Sequence, residues 1–178
     1  MRYPALNPDQ LTPRQHEVAE AIHQQRPRAL AGAFQALLYS PEVAERVHLL
    51  DQELRLHLRV PERLRALAVL VAAGRHRGED AALLAEQEDI QQSGLDAAKV
   101  AALCAGKPPA DLAEDEQLVY DYCMELTRRS RVSNVNFERL AQRLGREICL
   151  ELVAVCGYTL FVTNLIGVTQ TRDASGRT

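Results

Sequence analysis

The sequence predicts an all-α fold, and three observations carry that prediction. Apolar residues recur every three to four positions through most of the 178 residues, with no sustained period-2 alternation. Gly and Pro fall between the periodic segments rather than within them. Helix-start signals stand at the beginnings of several segments. Short connections then make a multi-helix bundle of seven to eight helices, a single domain over 1–170 with a polar tail over 171–178.

The elements follow in order. Thr12–Pro13 reads as an N-cap with Pro at the first helical position, and Gln15 can close a capping box; the helix ends near Pro27. Ser40–Pro41 repeats the signal and opens a helix whose apolar stripe is Val43, Val47, Leu50, Leu54 and Leu58. Pro61 opens a third, through Leu64, Leu67 and Val71. A fourth pattern runs from about Glu79 to Gln92 and stops at Gly94. Asp96 caps a short helix that ends at Gly106. "KPPADLAED" is the clearest linker. It precedes a helix carrying Leu118, Tyr122 and Leu126, then a short one with Phe137, Leu140 and Leu144 that stops at Gly145. A long apolar helix from about Glu147 to Val168 comes last.

That last helix holds an uncharged run from Leu152 to Val168, which reaches the lower end of the roughly 17–25 residues needed to span a bilayer. Tyr158, Thr159, Thr163, Asn164 and two glycines interrupt it. A helix apolar on all sides also suits the centre of a bundle or a subunit interface, and the soluble character of the remaining chain favours that placement.

Charge and cysteine content narrow the function classes. Lys plus Arg is 21 and Asp plus Glu is 24, a net charge of -3, which favours neither nucleic acid nor an anionic membrane surface. The four cysteines include no CxxC pair, and the chain opens without a charged-then-apolar signal segment. The expectation is a cytoplasmic protein with reduced, buried thiols. Cys149 and Cys156 share the last helix, their Cα atoms about 10.5 Å apart at 1.5 Å per residue, too far for a disulfide within it.

Candidate chemistry concentrates in "GRHRGED", where five ionisable residues crowd into the six positions from Arg75 to Asp80 directly after an apolar run. Glu79 and Glu86 are two helical turns apart and share a face with Ala82 and Leu83 between them. A carboxylate enclosed by apolar neighbours acquires a raised pKa and can exchange a proton at neutral pH. His76 has that capacity without burial. Arg75 or Arg77 can hold a substrate carboxylate through a bidentate fork. The competing interpretation is a solvated helix face with a surface His76–Asp80 pair. No HxxxH or carboxylate–His ligand spacing and no Gly-rich phosphate loop is present, so no metal or cofactor is expected.

Five segments, "LTPRQHEVAEAI", "FQALLYSPEVAERV", "RLRALAVLVAAGRHRGEDAALLAEQEDIQQSGL", "AEDEQLVYDYCMELTRRSRVSNVNFERLAQRLG" and "ELVAVCGYTLFVTNLIG", follow one another and carry a resemblance that covers roughly Leu11 to Asn164. In their order and spacing they resemble the carboxymuconolactone decarboxylase-like family, within the alkylhydroperoxidase D-like superfamily. The resemblance implies an all-helical homo-oligomer with a small pocket at the start of the helix after "RHRG". The signature positions differ. The Glu of the family's "RLRELAIL" is Ala66 here, and the Tyr-Glu-Trp run with its later His falls on Ala81, Ala82, Leu83 and Glu86. The peroxidase branch's two cysteines and histidine fall on Glu79, Ala82 and Glu86, so disulfide cycling loses its thiols.

Two functions follow as expectations. One is cofactor-free acid–base chemistry on a small carboxylated lactone or a related intermediate of aromatic breakdown, with Glu86, Glu79 and His76 catalytic and Arg75 binding the carboxylate. The other is a catalytically degenerate helical oligomer kept for ligand binding or assembly. A thiol-dependent peroxidase is the least favoured.

Overall fold

The structure, a computed structural model, describes residues 2–25, 33–75 and 78–169, and within them not the side chains of 33, 78–80 and 83. The regular secondary structure of the described residues is helical throughout, as the sequence predicts. A 3-10 turn at Pro8–Gln10 precedes α1 (Pro13–Gln25), α2 (Ala33–Leu37), α3 (Pro41–Leu56), α4 (Glu62–Ala73) and α5 (Gly78–Ala85). Then come α6 (Glu88–Gln91), α7 (Ala97–Cys104), α8 (Glu114–Arg129), α9 (Asn134–Leu144) and α10 (Arg146–Thr169). The chain divides into two compact units, residues 1–53 with 161–178, and residues 54–160.

In the first unit, the predicted capping box closes at α1. The Gln15 amide donates to Thr12 Oγ1 at 3.2 Å and the Thr12 amide to Gln15 Oε1 at 2.9 Å. Val18 and Ile22 pack with Phe34, Leu37, Leu38 and Ala44. The expected stripe of α3 is buried in part: Leu54 lies in the core of the second unit, and Val47 and Leu58 pack against the cores of the first and the second. Val43 and Leu50 are 46% exposed, whereas Ala44, His48 and Asp51 are buried. The His48 ring meets Phe34 edge to face at 6.4 Å, so an aromatic contact fixes the inward face and turns Val43 and Leu50 to solvent.

The second unit is built around α4. Nine of its residues are buried, the pattern of a helix enclosed on all sides. Ala66, Ala68, Ala72 and Ala73 keep its surface low, so α5, α7 and α8 pack closely on it. Its one buried cation, Arg65, donates to Asp89 on α6 at 3.1 Å. The turn before α4 is held by Glu151 of α10, whose Oε2 accepts from the amides of Arg59 and Val60, both at 2.9 Å.

Helix α10 is long and apolar enough to cross a membrane by length and composition. Within this unit its Ile148, Cys149, Leu152, Val155 and Cys156 belong to the core, and Tyr122 of α8 donates its hydroxyl to the Cys149 carbonyl at 3.1 Å. The opposite side exposes Leu150 and Val153.

Helix α8 begins inside the predicted linker because Glu116 folds back on it. That carboxylate is 1% exposed and accepts from the Ala113 amide at 2.8 Å and from Lys99 Nζ of α7 at 2.5 Å; Arg63 Nε of α4 lies 3.4 Å away. The pattern expected over Glu79–Gln92 is two helices. It breaks at Glu86, and Gln87, extended at φ -70 and ψ 140, starts α6.

Two outcomes are expected. Burial alone would raise the Glu116 pKa, but the Lys99 and Ala113 hydrogen bonds and the Lys99 and Arg63 charges hold it below its ordinary 4.5. A depressed folded pKa stabilises above the unfolded value and loses that contribution as pH falls through the folded one. Glu116→Gln should therefore cost about 1–3 kcal/mol near neutrality, and its deficit against the wild type should shrink below pH 4.5 in denaturant titrations. Val155→Asp places a charge in the core and should cost more than about 3 kcal/mol by the same measurement.

Candidate functional site

Helix α4 ends where its regular backbone gives way to Gly74 and Arg75. The Gly74 amide donates to the Leu70 carbonyl at 2.9 Å and the Arg75 amide to Ala72 at 3.3 Å. Gly74 has an ordinary right-handed conformation, φ -65, so space rather than backbone freedom requires it. A Cβ there would stand 3.1 Å from the Leu103 carbonyl of α7 and 3.1 Å from that of Leu70, tighter than normal contact, with Ala81 Cβ of α5 at 3.9 Å. Three helices thus meet at Gly74.

The sequence-predicted site residues diverge around this junction. Arg75 is described and exposed. His76 and Arg77 lie outside the described residues, as does the predicted His76–Asp80 pair. Glu79 lies in the first turn of α5. Ala81 and Leu84 form the buried side of α5, whereas Ala82 and Glu86 are exposed. The side chains of Glu79 and Leu83 lie outside the described ones, and in the single chain the exposed Ala82 does not cover Glu86. Glu86 itself lies just past the end of α5.

The junction does carry a cleft of about 100 Å³. Its floor is apolar: Leu70 and Val71 from α4, Leu103 from α7, and Met124 from α8. Its rim is cationic: Arg75, Lys107 just beyond α7, and Arg128 in the last turn of α8. Tyr120 completes it, one face of α8 contributing residues at 120, 124 and 128. Burial raises the Tyr120 pKa, the Arg128 charge lowers it and the neighbouring Asp121 carboxylate raises it, so the phenol is a protonated hydrogen-bond donor at neutral pH. No carboxylate lines the cleft among the described residues, and none of its three cations is in an ion pair there. By contrast, Arg14, Arg63, Arg65 and Arg143 each face a carboxylate within 4 Å.

Of these groups the sequence pointed only to Arg75. Lys107 sits in a stretch that reads as a linker, and Tyr120 and Arg128 look like the solvent side of an amphipathic helix. Their spacing of eight, two turns of helix, is the one signal that could have joined them.

The thiols are placed for packing. Cys123, Cys149 and Cys156 are buried, and Cys104 is partly exposed. Cys123 and Cys156 neighbour each other across α8 and α10, and the Cys156 thiol together with burial pushes the Cys123 thiol well up. Burial also raises Cys104 and Cys149. Such thiols carry little thiolate at neutral pH, the opposite of what disulfide exchange requires. No group of three or more His, Cys, Asp or Glu among the described residues is placed to hold a metal ion. Compared with known proteins, the chain matches no family model and no curated protein.

Gly74→Ala should push α7 from α4, lowering stability by about 1–3 kcal/mol in thermal or chemical unfolding. Native-state titration with an aromatic disulfide reagent should label Cys104 first, with Cys123, Cys149 and Cys156 reacting only on the timescale of unfolding.

Proposed function

We propose that this chain is a carboxymuconolactone decarboxylase-like protein, a cytoplasmic homo-oligomer that takes a small carboxylated molecule at the α4–α5 junction without a cofactor. The all-helical fold and the order of the five segments support the lineage. One observation carries the ligand class: Arg75, the residue expected to hold a carboxylate, stands on the rim of a cleft with two further cations that pair with no carboxylate among the described residues.

In the enzymatic form of this proposal, Arg75 fixes the substrate carboxylate next to α5. The bond from that carboxylate to the ring carbon breaks, CO₂ leaves, and the electron pair passes into a conjugated lactone carbonyl as an enolate. A protonated Glu86, assisted by Glu79 and His76, delivers a proton to carbon and recovers one from water. Glu86 is exposed in the single chain, so this form of the proposal requires a second subunit to cover it. Exposed apolar residues supply a reason for subunits to meet: Leu150 and Val153 on α10, and Val43 and Leu50 on α3.

The exposure of Ala82 and Glu86 favours the second reading, in which the same oligomer binds its ligand without transforming it. A thiol peroxidase is disfavoured by the raised thiol pKa values.

The test is CO₂ release from a panel of carboxylated γ-lactones, alongside light scattering at micromolar protein. Turnover that falls at least about 100-fold in Glu86→Gln supports the enzymatic form. Ligand-induced thermal stabilisation without CO₂ supports the binding form. A monomer that neither binds nor turns over any member of the panel refutes the proposal.

A further inference from the structure

We infer that the cleft among α4, α7 and α8 is a binding site for a small monocarboxylate with a short apolar body, held by Lys107, Arg128 and Tyr120 together with Arg75. The inference rests on the proposed ligand class, but not on any chemistry at Glu86.

The charge balance points to an anion. Arg75, Lys107 and Arg128 each follow or close a helix, so some of their charge offsets the negative C-terminal ends of α4, α7 and α8. Those ends amount to about half a charge each, roughly -1.5 against three cations. The last-turn carbonyls are also met by backbone donors. Gly106 donates to Leu103 at 2.9 Å, Lys107 to Ala102 at 2.9 Å, and Ser130 to Leu126 at 2.8 Å. Helix capping therefore leaves more positive charge among the described lining residues than the helix ends offset, with the Asp121 carboxylate beside Tyr120 but not in the lining, in a chain whose net charge is -3. Three like charges around one cleft repel each other, and an anion between them removes that cost.

The floor selects the kind of anion. Leu70, Val71, Leu103 and Met124 cannot accept or donate a hydrogen bond through their side chains, apart from a weak thioether contact. A phosphate or sulfate pressed onto them would lose solvation on that side. A carboxylate can face the rim while a two- or three-carbon tail covers the floor. The cleft, about 100 Å³, has room for a small fragment of this kind. The protonated Tyr120 phenol adds a donor at the boundary between rim and floor.

The chain offers a clean reporter, because it has two methionines, Met1 and Met124, and Met124 lines the floor. The full chain, labelled with ¹³C at methionine methyls, is titrated with sodium butyrate, with sodium phosphate and with sodium chloride at constant ionic strength. Butyrate is expected to shift the Met124 methyl saturably and leave Met1 in place. Lys107→Gln and Arg128→Gln should each weaken the butyrate response about tenfold, the loss of one charge-assisted hydrogen bond. Arg131→Gln, which removes an exposed cation outside the cleft, should leave it unchanged. A Met124 response equal in chloride, a response stronger in phosphate than in butyrate, or affinity unchanged in the Lys107→Gln, Arg128→Gln double variant would each overturn the inference. Butyrate binding without lactone turnover sustains the site and counts against the enzymatic proposal. Turnover without a Met124 response does the reverse.

Discussion

A buried carboxylate fixes the relation of three helices on which the rest of the second unit depends. Glu116 lies 1% exposed at the start of α8, where an unpaired negative charge would be prohibitively costly. Lys99, Arg63 and the Ala113 amide meet it from α7, from α4 and from the head of α8. Breaking one of these contacts strands the others in a water-poor site, so the cluster behaves as a unit. It specifies which turn of α7 and which turn of α8 face α4. From that register, twelve residues along α4 and α8 and eight along α7, Arg75, Arg128 and Lys107 arrive at one cleft.

Close packing then turns register into shape. Alanines on α4 and the missing Cβ of Gly74 let the α7 backbone approach until its Leu103 carbonyl occupies the space a side chain would need. At the opposite end of α4, Glu151 pins the preceding turn through two amides. The helix is thereby held at both ends, by a carboxylate where it begins and by backbone contact where it stops. The cleft is the gap left where the tight α4–α7 contact ends and the longer side chains of α8 begin.

The sequence disclosed helix limits well because capping chemistry is local. Thr12 with Gln15, Asp96, and Gly145 at φ +97 act within a few residues of themselves. It disclosed less where a distant contact decides. Along the first turns of α3 His48 against Phe34 faces inward while Val43 and Leu50 of the expected stripe face solvent, although Val47 and Leu54 of the same stripe pack inward. The break at Glu86–Gln87 has no Gly or Pro to announce it. The candidate site was legible at Arg75, which directly follows an apolar run. Lys107, Tyr120 and Arg128 were not, since only the tertiary register set by Glu116 brings these linker and helix-surface residues to one rim.

The position of the cations at helix ends also limits what the cleft can hold. A cation beside a helix C-terminus is partly neutralised before any ligand arrives, so the rim presents less than its formal charge. With roughly half offset, the residual charge of about +1.5 suits a monoanion better than a highly charged phosphate ester, whose excess negative charge would face the carbonyl ends of α4 and α7. Three separate helix termini, rather than one loop, supply the charges, so their spacing is as rigid as the packing beneath them. Affinity at such a site comes from preorganised cations that repel one another in its empty state. Selectivity comes from an apolar floor that rewards a carbon tail. Both properties depend on the Glu116 cluster at the far ends of the same helices, which links the stability of the second unit to the geometry of its cleft.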